Sequence, residues 1–194
     1  SSSLLEPVVR LYNLTKNEKY LDFARYIVDC GVISTPDVSI FELAYRNELD
    51  PYEYPVTKAY EMMSCFEGLL EFYRVTGEEK WKTAVINFAN RVRLSEISVI
   101  GSSGCTHELF DHTLVRQVNT EYNGVLQETC VTVTWMKFCF QLLGITGNSV
   151  YADEIEKSIY NALLGAINFD KNTANGNLPF DSYSPLTAGL RGRK

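Results

Sequence analysis

Glu128 and Cys130 combine, in one short motif, two side-chain types that bind metal ions. They flank Thr129, which the pattern Val131-Thr-Val-Thr-Trp-Met predicts to be the N-cap of a helix. The positive end of a helix favours thiolate, the form of cysteine that binds metal. Just ahead of the first turn, Glu128 and Cys130 could both face one ion. A buried structural cysteine beside a capping glutamate explains the same residues, so both interpretations stay open.

Glu108 is the candidate proton donor. It lies in the loop Gly101-Ser-Ser-Gly-Cys-Thr-His-Glu108, beside His107 and close to Phe110. An apolar wall beside a carboxyl group favours its protonated form, as a general acid requires. A solvated loop glutamate is the alternative. His107 and His112 are more typical of loop hydrogen-bonding residues than of metal ligands, because no histidine pair shows the spacing of a zinc site.

A polar stripe on an otherwise apolar predicted helix is the third candidate feature. Lys58, Glu61 and Ser64 recur at three- and four-residue intervals and so share one helix face. This stripe, with His107 from the loop, could bind a sugar. It could equally be the solvent side of the helix with an intrahelical ion pair.

The 5 cysteines are odd in number and irregular in spacing, which fits reduced thiols or metal ligands better than a disulfide framework. Cys30, Cys65 and Cys139 sit among apolar helical neighbours and are predicted to be core residues. Cys105 is predicted to be an exposed loop thiol of unknown role.

Similar segments around Thr15, Thr76 and Thr146 predict the elements that carry these residues. Each has an apolar helix, a short polar turn and a second helix, with Gly77 and Gly147 suited to the left-handed conformation that ends a helix. The predicted first helices cover 4–14, 57–75 and 129–145, and the second helices cover 18–30, 79–93 and 149–167. The repeat is roughly twice the ~34 residues of a tetratricopeptide unit.

Two connectors, 32–56 and 94–127, are far longer than usual between packed helices and are predicted to be functional loops. Helical hairpins joined by such loops predict an all-α fold in which helices wind into a solenoid or a closed α/α toroid. If the long loops open at one end of a ring, that end is the predicted site.

Composition excludes several classes of protein. The chain has 194 residues with 45% hydrophobic residues and 22% charged residues, which is typical of a folded globular domain. A net charge of -6 without a basic cluster, apart from Arg191-Gly-Arg-Lys194, argues against nucleic-acid binding. No apolar run approaches the ~18 residues of a membrane helix. The start at Ser1-Ser2-Ser3 lacks a secretory signal, but we read it as lying within a domain, so a cytoplasmic or periplasmic location stays open.

Together these residues resemble the catalytic domain of glycoside hydrolase family 127, the β-L-arabinofuranosidases, which is an (α/α)6 barrel followed by β-sandwich domains. The most specific match is Glu128-Thr-Cys130 followed by Tyr151-Ala-Asp-Glu-Ile-Glu-Lys-Ser-Ile-Tyr-Asn161. Leu5-Glu-Pro-Val-Val-Arg-Leu-Tyr and Lys58-Ala-Tyr-Glu-Met-Met-Ser-Cys-Phe-Glu-Gly-Leu-Leu resemble the preceding inner helices. The resemblance covers nearly the whole chain, which would be a partial catalytic domain over 1–194.

The resemblance implies a retaining hydrolase that contains zinc. Glu128 and Cys130 would ligate the ion with two adjacent cysteines further along, and one of these cysteines would attack the sugar to form a thioglycosyl intermediate. Glu108 would be the acid/base, with Asp111 and Glu121 as the alternatives. No cysteine follows Cys139, so the nucleophile is missing and we expect the chain alone to be inactive and to bind zinc weakly or not at all.

Lys58 is a departure from the resemblance, since better-known members have a histidine there, and the exact glycoside therefore cannot be carried over. Two other functions stay open. One is a non-catalytic helical-repeat binding scaffold, and the other is a zinc-independent toroid hydrolase of unsaturated uronic acid sugars with an aspartate as acid/base. Three hairpins would make about half of an (α/α)6 barrel, and its exposed apolar ends predict homo-oligomers.

Overall fold

The computed structural model describes residues 2–31, 38–104, 106, 108–118, 126–167 and 180–185. The chain divides into two compact units. The N-terminal unit comprises Ser1–Thr57 with Glu61–Arg93, and the C-terminal unit comprises Lys58–Tyr60 with Leu94–Lys194. The single domain predicted over 1–194 stays a prediction.

The described part of the chain is mainly helical, as the sequence predicts. Its α-helices are α1 (Leu5–Thr15), α2 (Glu18–Asp29), α3 (Ile40–Arg46), α4 (Ala59–Thr76), α5 (Glu79–Ser95), α6 (Thr113–Arg116), α7 (Thr129–Thr146) and α8 (Val150–Lys157). The predicted hairpins are therefore α1 with α2, α4 with α5, and α7 with α8. A π-helical turn, Ser158–Leu163, continues α8. None of the described helices is both long and apolar enough to cross a membrane.

The turns of the hairpins use the same hydrogen bonds at each threonine. The Thr76 hydroxyl donates to the carbonyl of Phe72 (3.0 Å) and accepts from the backbone N–H of Glu78 (3.3 Å), and Thr15 and Thr146 repeat both bonds. The residue after each threonine has a left-handed conformation, with φ of 72° at Gly77 and 66° at Gly147. The first hairpin uses Lys16 there, at φ 55°. One local rule thus ends the first helix and starts the second.

Aromatic side chains form the core of the N-terminal unit. Phe66 of α4 stacks on Phe88 of α5 with ring centroids 3.7 Å apart, and Phe41 of α3 meets Phe66 edge-on at 5.3 Å. All three side chains are fully buried. Burial of such side chains stabilises a fold by about 1.5–3 kcal/mol each, so α3 is part of the core.

The described part of the first long connector, residues 38–56, contains helical segments where the sequence predicted a functional loop over 32–56. It contains α3 and a 3-10 turn at Pro51–Glu53. Ser39 caps α3 by accepting a hydrogen bond from the N–H of Glu42 (3.3 Å), and Ile40 is buried. The sequence did not predict α3, because its 7 residues are too few to show the apolar periodicity that marks the longer helices.

The cysteines follow the sequence prediction only in part. Cys65 and Cys139 are buried free thiols, as predicted. Cys30 is exposed, so its assignment to the core was wrong. It follows the last residue of α2 and caps the helix through its backbone N–H, so it does not belong to the buried stripe of Leu21, Ala24 and Val28. Cys105 lies outside the described residues.

In the C-terminal unit, α7 and α8 pack together, with Trp135, Phe138 and Tyr151 buried. A short antiparallel pair precedes α7: β1 (Leu126–Glu128) pairs with β2 (Tyr183–Pro185). The sequence did not predict this pair. Each strand has only three residues, which is too short for the alternation that marks a strand.

Candidate active site

The backbone of the C-terminal unit places Lys58 beside Glu108. Lys58 and Leu109 form an isolated antiparallel bridge, and the Ala59 N–H donates to the Glu108 carbonyl (2.9 Å). Glu108 itself has a left-handed conformation, with φ of 66°. Non-glycine residues seldom adopt this conformation, and they do so mostly where neighbouring contacts hold them. The turn at Glu108 is therefore fixed by the segment that leads into α4.

Two polar groups hold the carboxylate of Glu108. The Lys58 ammonium forms an ion pair with Oε2, and the Tyr183 hydroxyl donates a hydrogen bond to Oε1. The hydrogen bond to Glu108, followed by partial burial, raises the pKa of Tyr183 to about 12. Tyr183 therefore keeps its proton at neutral pH and remains a donor. The Glu108 side chain keeps 26% of its surface exposed, so it is accessible from solvent.

The β1–β2 pair brings Tyr183 to the metal-binding motif. Tyr183 is the register partner of Glu128, and the Glu128 N–H donates to the carbonyl of Ser103 (3.1 Å). Glu128 is the N-cap residue of α7, and Cys130 follows in the first turn of the helix. The prediction of Thr129 as the N-cap was wrong by one residue. Its hydroxyl donates to the carbonyl of Asp181 (2.5 Å) and so ties α7 to the segment that precedes β2.

The thiol of Cys130 lies in the electrostatic field of both glutamates. Burial, the negative charges of Glu128 and Glu108, and a hydrogen bond with Glu128 raise the pKa of Cys130. The sequence predicted the opposite effect from the start of the helix. Two carboxylates and partial desolvation outweigh the backbone N–H groups, because whole charges act more strongly than the partial charge of a helix end. Without a bound cation, the thiol is held in its protonated form.

The glycine- and serine-rich part of the second connector is structural. Ser102 and Ser103 are fully buried, and Ser102 accepts a hydrogen bond from the Thr132 hydroxyl of α7 (2.7 Å). The Ser158 hydroxyl donates to the carbonyl of Gly101 (2.8 Å). The second connector was predicted to be a functional loop, but these hydrogen bonds fasten its first part to α7 and to the end of α8.

The structure brings together four of the residues singled out by sequence: Lys58, Glu108, Glu128 and Cys130. Their contacts and mutual charges lie within the C-terminal unit. Their roles stay predictions. Tyr183 was missed, because its place opposite Glu128 depends on a strand pairing that no local signal in Tyr183-Ser-Pro-Leu reveals.

The remaining candidates are Glu61, Asp111, His107 and Glu121. Glu61 is in the N-terminal unit, in the first turn of α4, where its carbonyl accepts a hydrogen bond from the Cys65 thiol (2.9 Å). Asp111 pairs with Arg116 (3.2 Å). His107 and Glu121 lie outside the described residues. The sugar-binding roles of Glu61 and His107 stay predictions.

The donors at this site suit part of a zinc site. A carboxylate oxygen from Glu128 and a thiol sulfur from Cys130 are both ordinary zinc ligands, and a structural or catalytic site uses three or four protein ligands. Within the described ranges, no group of three or more His, Cys, Asp or Glu side chains is arranged to hold a metal ion. The two residues therefore fit zinc chemistry as a partial ligand set.

Comparisons with known proteins identify the family of the chain. Residues 2–184 match the family model described as beta-L-arabinofuranosidase, GH127 catalytic domain. A non-reducing end beta-L-arabinofuranosidase from Bifidobacterium longum subsp. longum is 22% identical over 184 residues, which is 84% of this chain and 27% of that protein. The chain therefore spans about a quarter of that relative's length.

Solved structures share the fold. A GH127 beta-arabinofuranosidase superposes with a TM-score of 0.68 at 22% identity, over 92% of this chain and 26% of the other. A GH127 beta-L-arabinofuranosidase from Geobacillus stearothermophilus T6 gives a TM-score of 0.64 at 19% identity, over 92% and 29%. The predicted α/α-toroid fold class is thereby confirmed. The chain belongs to the catalytic-domain family of the GH127 glycoside hydrolases.

Proposed function

We propose that the chain supplies the acid/base and two zinc ligands of a retaining glycoside hydrolase that acts on β-L-arabinofuranosides or related plant-type glycans. The observation that carries this proposal is the clustering of Lys58, Glu108, Cys130 and Tyr183 in one unit of a family catalytic domain. The substrate class rests on the similar proteins, whose names describe beta-L-arabinofuranosidases.

Glu108 performs both proton transfers in this proposal. As an acid it gives a proton to the leaving oxygen, and as a base it takes a proton from the water that completes hydrolysis. Lys58 and Tyr183 hold its two oxygens in place. A positive charge beside a carboxylate favours its ionised form, so the resting pair favours the base step. We expect substrate to displace Lys58 from Glu108 before the acid step.

Glu128 and Cys130 would hold the zinc ion. Bound zinc supplies a positive charge that keeps coordinated thiols deprotonated at neutral pH. The two glutamates near Cys130 oppose deprotonation, so the cation is needed to reverse their effect. Glu128 is almost fully buried at the N-cap of α7, and its backbone is fixed by Ser103. This fixed position gives a preformed ligand rather than one that must be ordered on binding.

The nucleophile would come from outside residues 1–194. The resemblance implies two adjacent cysteines after the Glu-Thr-Cys motif, and no cysteine follows Cys139 here. A retaining mechanism cannot run without a nucleophile. We therefore expect the chain alone to be inactive on sugars and to bind zinc weakly.

The test uses the full-length protein loaded with zinc and an aryl β-L-arabinofuranoside. Glu108→Gln should lower kcat by about 10²–10⁴, the usual contribution of a general acid/base. Cys130→Ser should lower both the zinc content and the activity. The isolated 194-residue chain should release no arabinose.

A matched control is Glu154→Gln, which changes a buried carboxylate that pairs with Lys157 of α8 (2.7 Å). It should keep activity and zinc. Full activity of Glu108→Gln, or turnover by the protein without metal, would reject the mechanism. The latter result would instead favour a zinc-independent toroid hydrolase.

A further inference from the structure

Glu96 is a fully buried carboxylate that takes no part in the proposed chemistry. It follows the last residue of α5, and its oxygens accept hydrogen bonds from three consecutive backbone N–H groups, those of Asp111, His112 and Thr113, each at 3.2 Å. Glu96 therefore binds three consecutive backbone groups of the segment that leads into α6.

This burial is unfavourable for a charged group. Desolvation raises the pKa of Glu96 to about 7, although the three backbone N–H groups act in the opposite direction. Asp111 adds to the effect through its negative charge, which is itself paired with Arg116. An uncharged side chain at this position would avoid the free-energy cost of removing a charge from water. Burial of the Glu96 carboxylate therefore reduces stability, and its role must lie in the backbone segment that it binds.

The anchored segment begins at Glu108 and contains two left-handed non-glycine residues, Glu108 (φ 66°) and His112 (φ 63°). Such a conformation costs roughly 1–2 kcal/mol per residue and persists only where surrounding contacts determine it. At one end, Ala59 and Lys58 hold the backbone of Glu108 and of Leu109. At the other end, Glu96 bonds His112 and both of its neighbours.

We propose that Glu96 is a positioning residue for Glu108, holding the turn of 108–113 so that the Glu108 carboxylate stays between Lys58 and Tyr183. The inference rests on the proposed role of Glu108 as acid/base. Misplacement of a reacting group by about 1 Å can lower a rate by about 10²-fold. Loss of the anchor should therefore affect catalysis without removing any group that touches the sugar.

The test compares Glu96→Gln with Glu154→Gln in the full-length protein. The amide of Glu96→Gln keeps an acceptor oxygen but turns an NH2 group towards a backbone donor, so at least one of the three bonds is lost. We expect hydrogen exchange at 111–113 to rise about tenfold and kcat on an aryl arabinofuranoside to fall about 10- to 100-fold, with KM little changed. Glu154→Gln should leave all three measurements unchanged.

Stability separates positioning from simple unfolding. At pH 8 the wild-type carboxylate is charged and buried, so Glu96→Gln should be at least as stable as wild type while its kcat is lower. A variant that loses kcat only in proportion to its loss of folded protein would overturn the inference. So would unchanged exchange at 111–113, or raised exchange with unchanged kcat.

The Tyr183 resonance distinguishes failure of the inference from failure of the proposed function. In protein labelled with ¹³C at the tyrosine ζ carbon, Tyr183 reports its hydrogen bond to Glu108, and Tyr183→Phe assigns the signal. If wild type shows no glycosidase activity, the proposed function fails. The inference then stands if Glu96→Gln shifts the Tyr183 resonance and falls if the resonance is unmoved.

Discussion

The turns of the helical hairpins and the turn that carries Glu108 both use left-handed residues, but different contacts hold them. At the hairpin turns, the threonine hydroxyl donates to the carbonyl four residues before it and accepts from the N–H two residues after it, so all partners lie within a few positions of sequence. At the turn of 108–113, Lys58 and Tyr183 contact the Glu108 side chain and Glu96 bonds the backbone of 111–113, all from other segments of the chain. The hairpin turns can be predicted from the local sequence, whereas the site depends on several distant segments folding together.

The largest difference is expected between a glycine of a hairpin turn, Gly77, and a glycine of the connector that carries Glu108, Gly101. A methyl group on Gly101 (φ +83°) would lie 2.7 Å from Cα and 2.8 Å from N of Ser158, whereas one on Gly77 (φ +72°) would meet nothing within 4 Å. Gly101→Ala should therefore cost about 3–5 kcal/mol, from backbone strain and overpacking. Gly77→Ala should cost about 1 kcal/mol, from strain alone.

Urea unfolding of the two variants measures this difference. Equal losses of stability would mean that the loop at Gly101 can move away from the end of α8, and the site would then be less tightly fastened than its hydrogen bonds indicate.

The pH dependence of stability is the second largest effect. The pKa of Glu96 is about 7 in the folded protein against 4.5 for the unperturbed group. The folded state therefore binds more protons than the unfolded state between these values, and stability falls as pH rises through that window. The loss should be about 3 kcal/mol in total.

Glu96→Gln should lack this part of the pH dependence, and Glu156→Gln, an exposed carboxylate on α8, should retain it. Thermal unfolding between pH 4.5 and 8 gives the comparison. An identical slope in wild type and Glu96→Gln would mean that the three N–H groups fully offset the burial of the charge.

Sequence reasoning succeeded where structure is local. The helical hairpins follow from apolar periodicity, the threonines and the two glycines, because each turn satisfies its own hydrogen bonds. The similarity to a known motif singled out Glu108, Glu128 and Cys130, which the structure places in one unit, while their roles stay predictions. The pKa of Cys130, however, shifts in the direction opposite to that expected from its helix, because burial and the negative charges of Glu128 and Glu108 raise it.

Long-range pairing explains what the sequence could not reveal. Tyr183 reaches Glu108 only through the β1–β2 pair, and Glu96 reaches 111–113 only through the fold of the second connector. Neither residue sits in a pattern that differs from an ordinary surface tyrosine or a helix-ending glutamate. Burial and partners, rather than residue type, make them candidates.

Thiol reactivity offers a smaller effect at the site. Because Glu128 contributes to the raised pKa of Cys130, Glu128→Gln should lower that pKa and increase the thiolate fraction near neutral pH. In metal-free protein at pH 7.5 we expect alkylation of Cys130 to become several-fold faster. Mass spectrometry of the peptide that contains Cys130 measures the rate. Cys30, an exposed thiol at the end of α2, serves as the internal control and should react at an unchanged rate. A slower Cys130 would show that Glu128 favours the thiolate.

At the hairpin turns, the effect of the threonine hydroxyl should be about 1 kcal/mol. Thr146→Val removes the bond to the Leu142 carbonyl and the bond from the Asn148 N–H. Thr83 of α5 bonds the carbonyl of Glu79 in its own helix, so Thr83→Val is the matched control and should be nearly neutral. Equal stability of the two variants in urea would show that the hydroxyl is not what joins the helices.

The smallest expected effect is a gain of stability in the first hairpin. Lys16 occupies with φ 55° the place that glycine takes in the other two hairpins, and a side chain there carries left-handed strain. Lys16→Gly should relieve that strain but lose the contact of the Lys16 ammonium with the Tyr12 ring, 5.6 Å from its centroid. The net gain should be about 0.5 kcal/mol. Lys19→Gly, inside α2, should instead lose about 1 kcal/mol. Thermal unfolding that ranks the two variants in the reverse order would mean that the turn at Lys16 is held by its side chain rather than by its backbone.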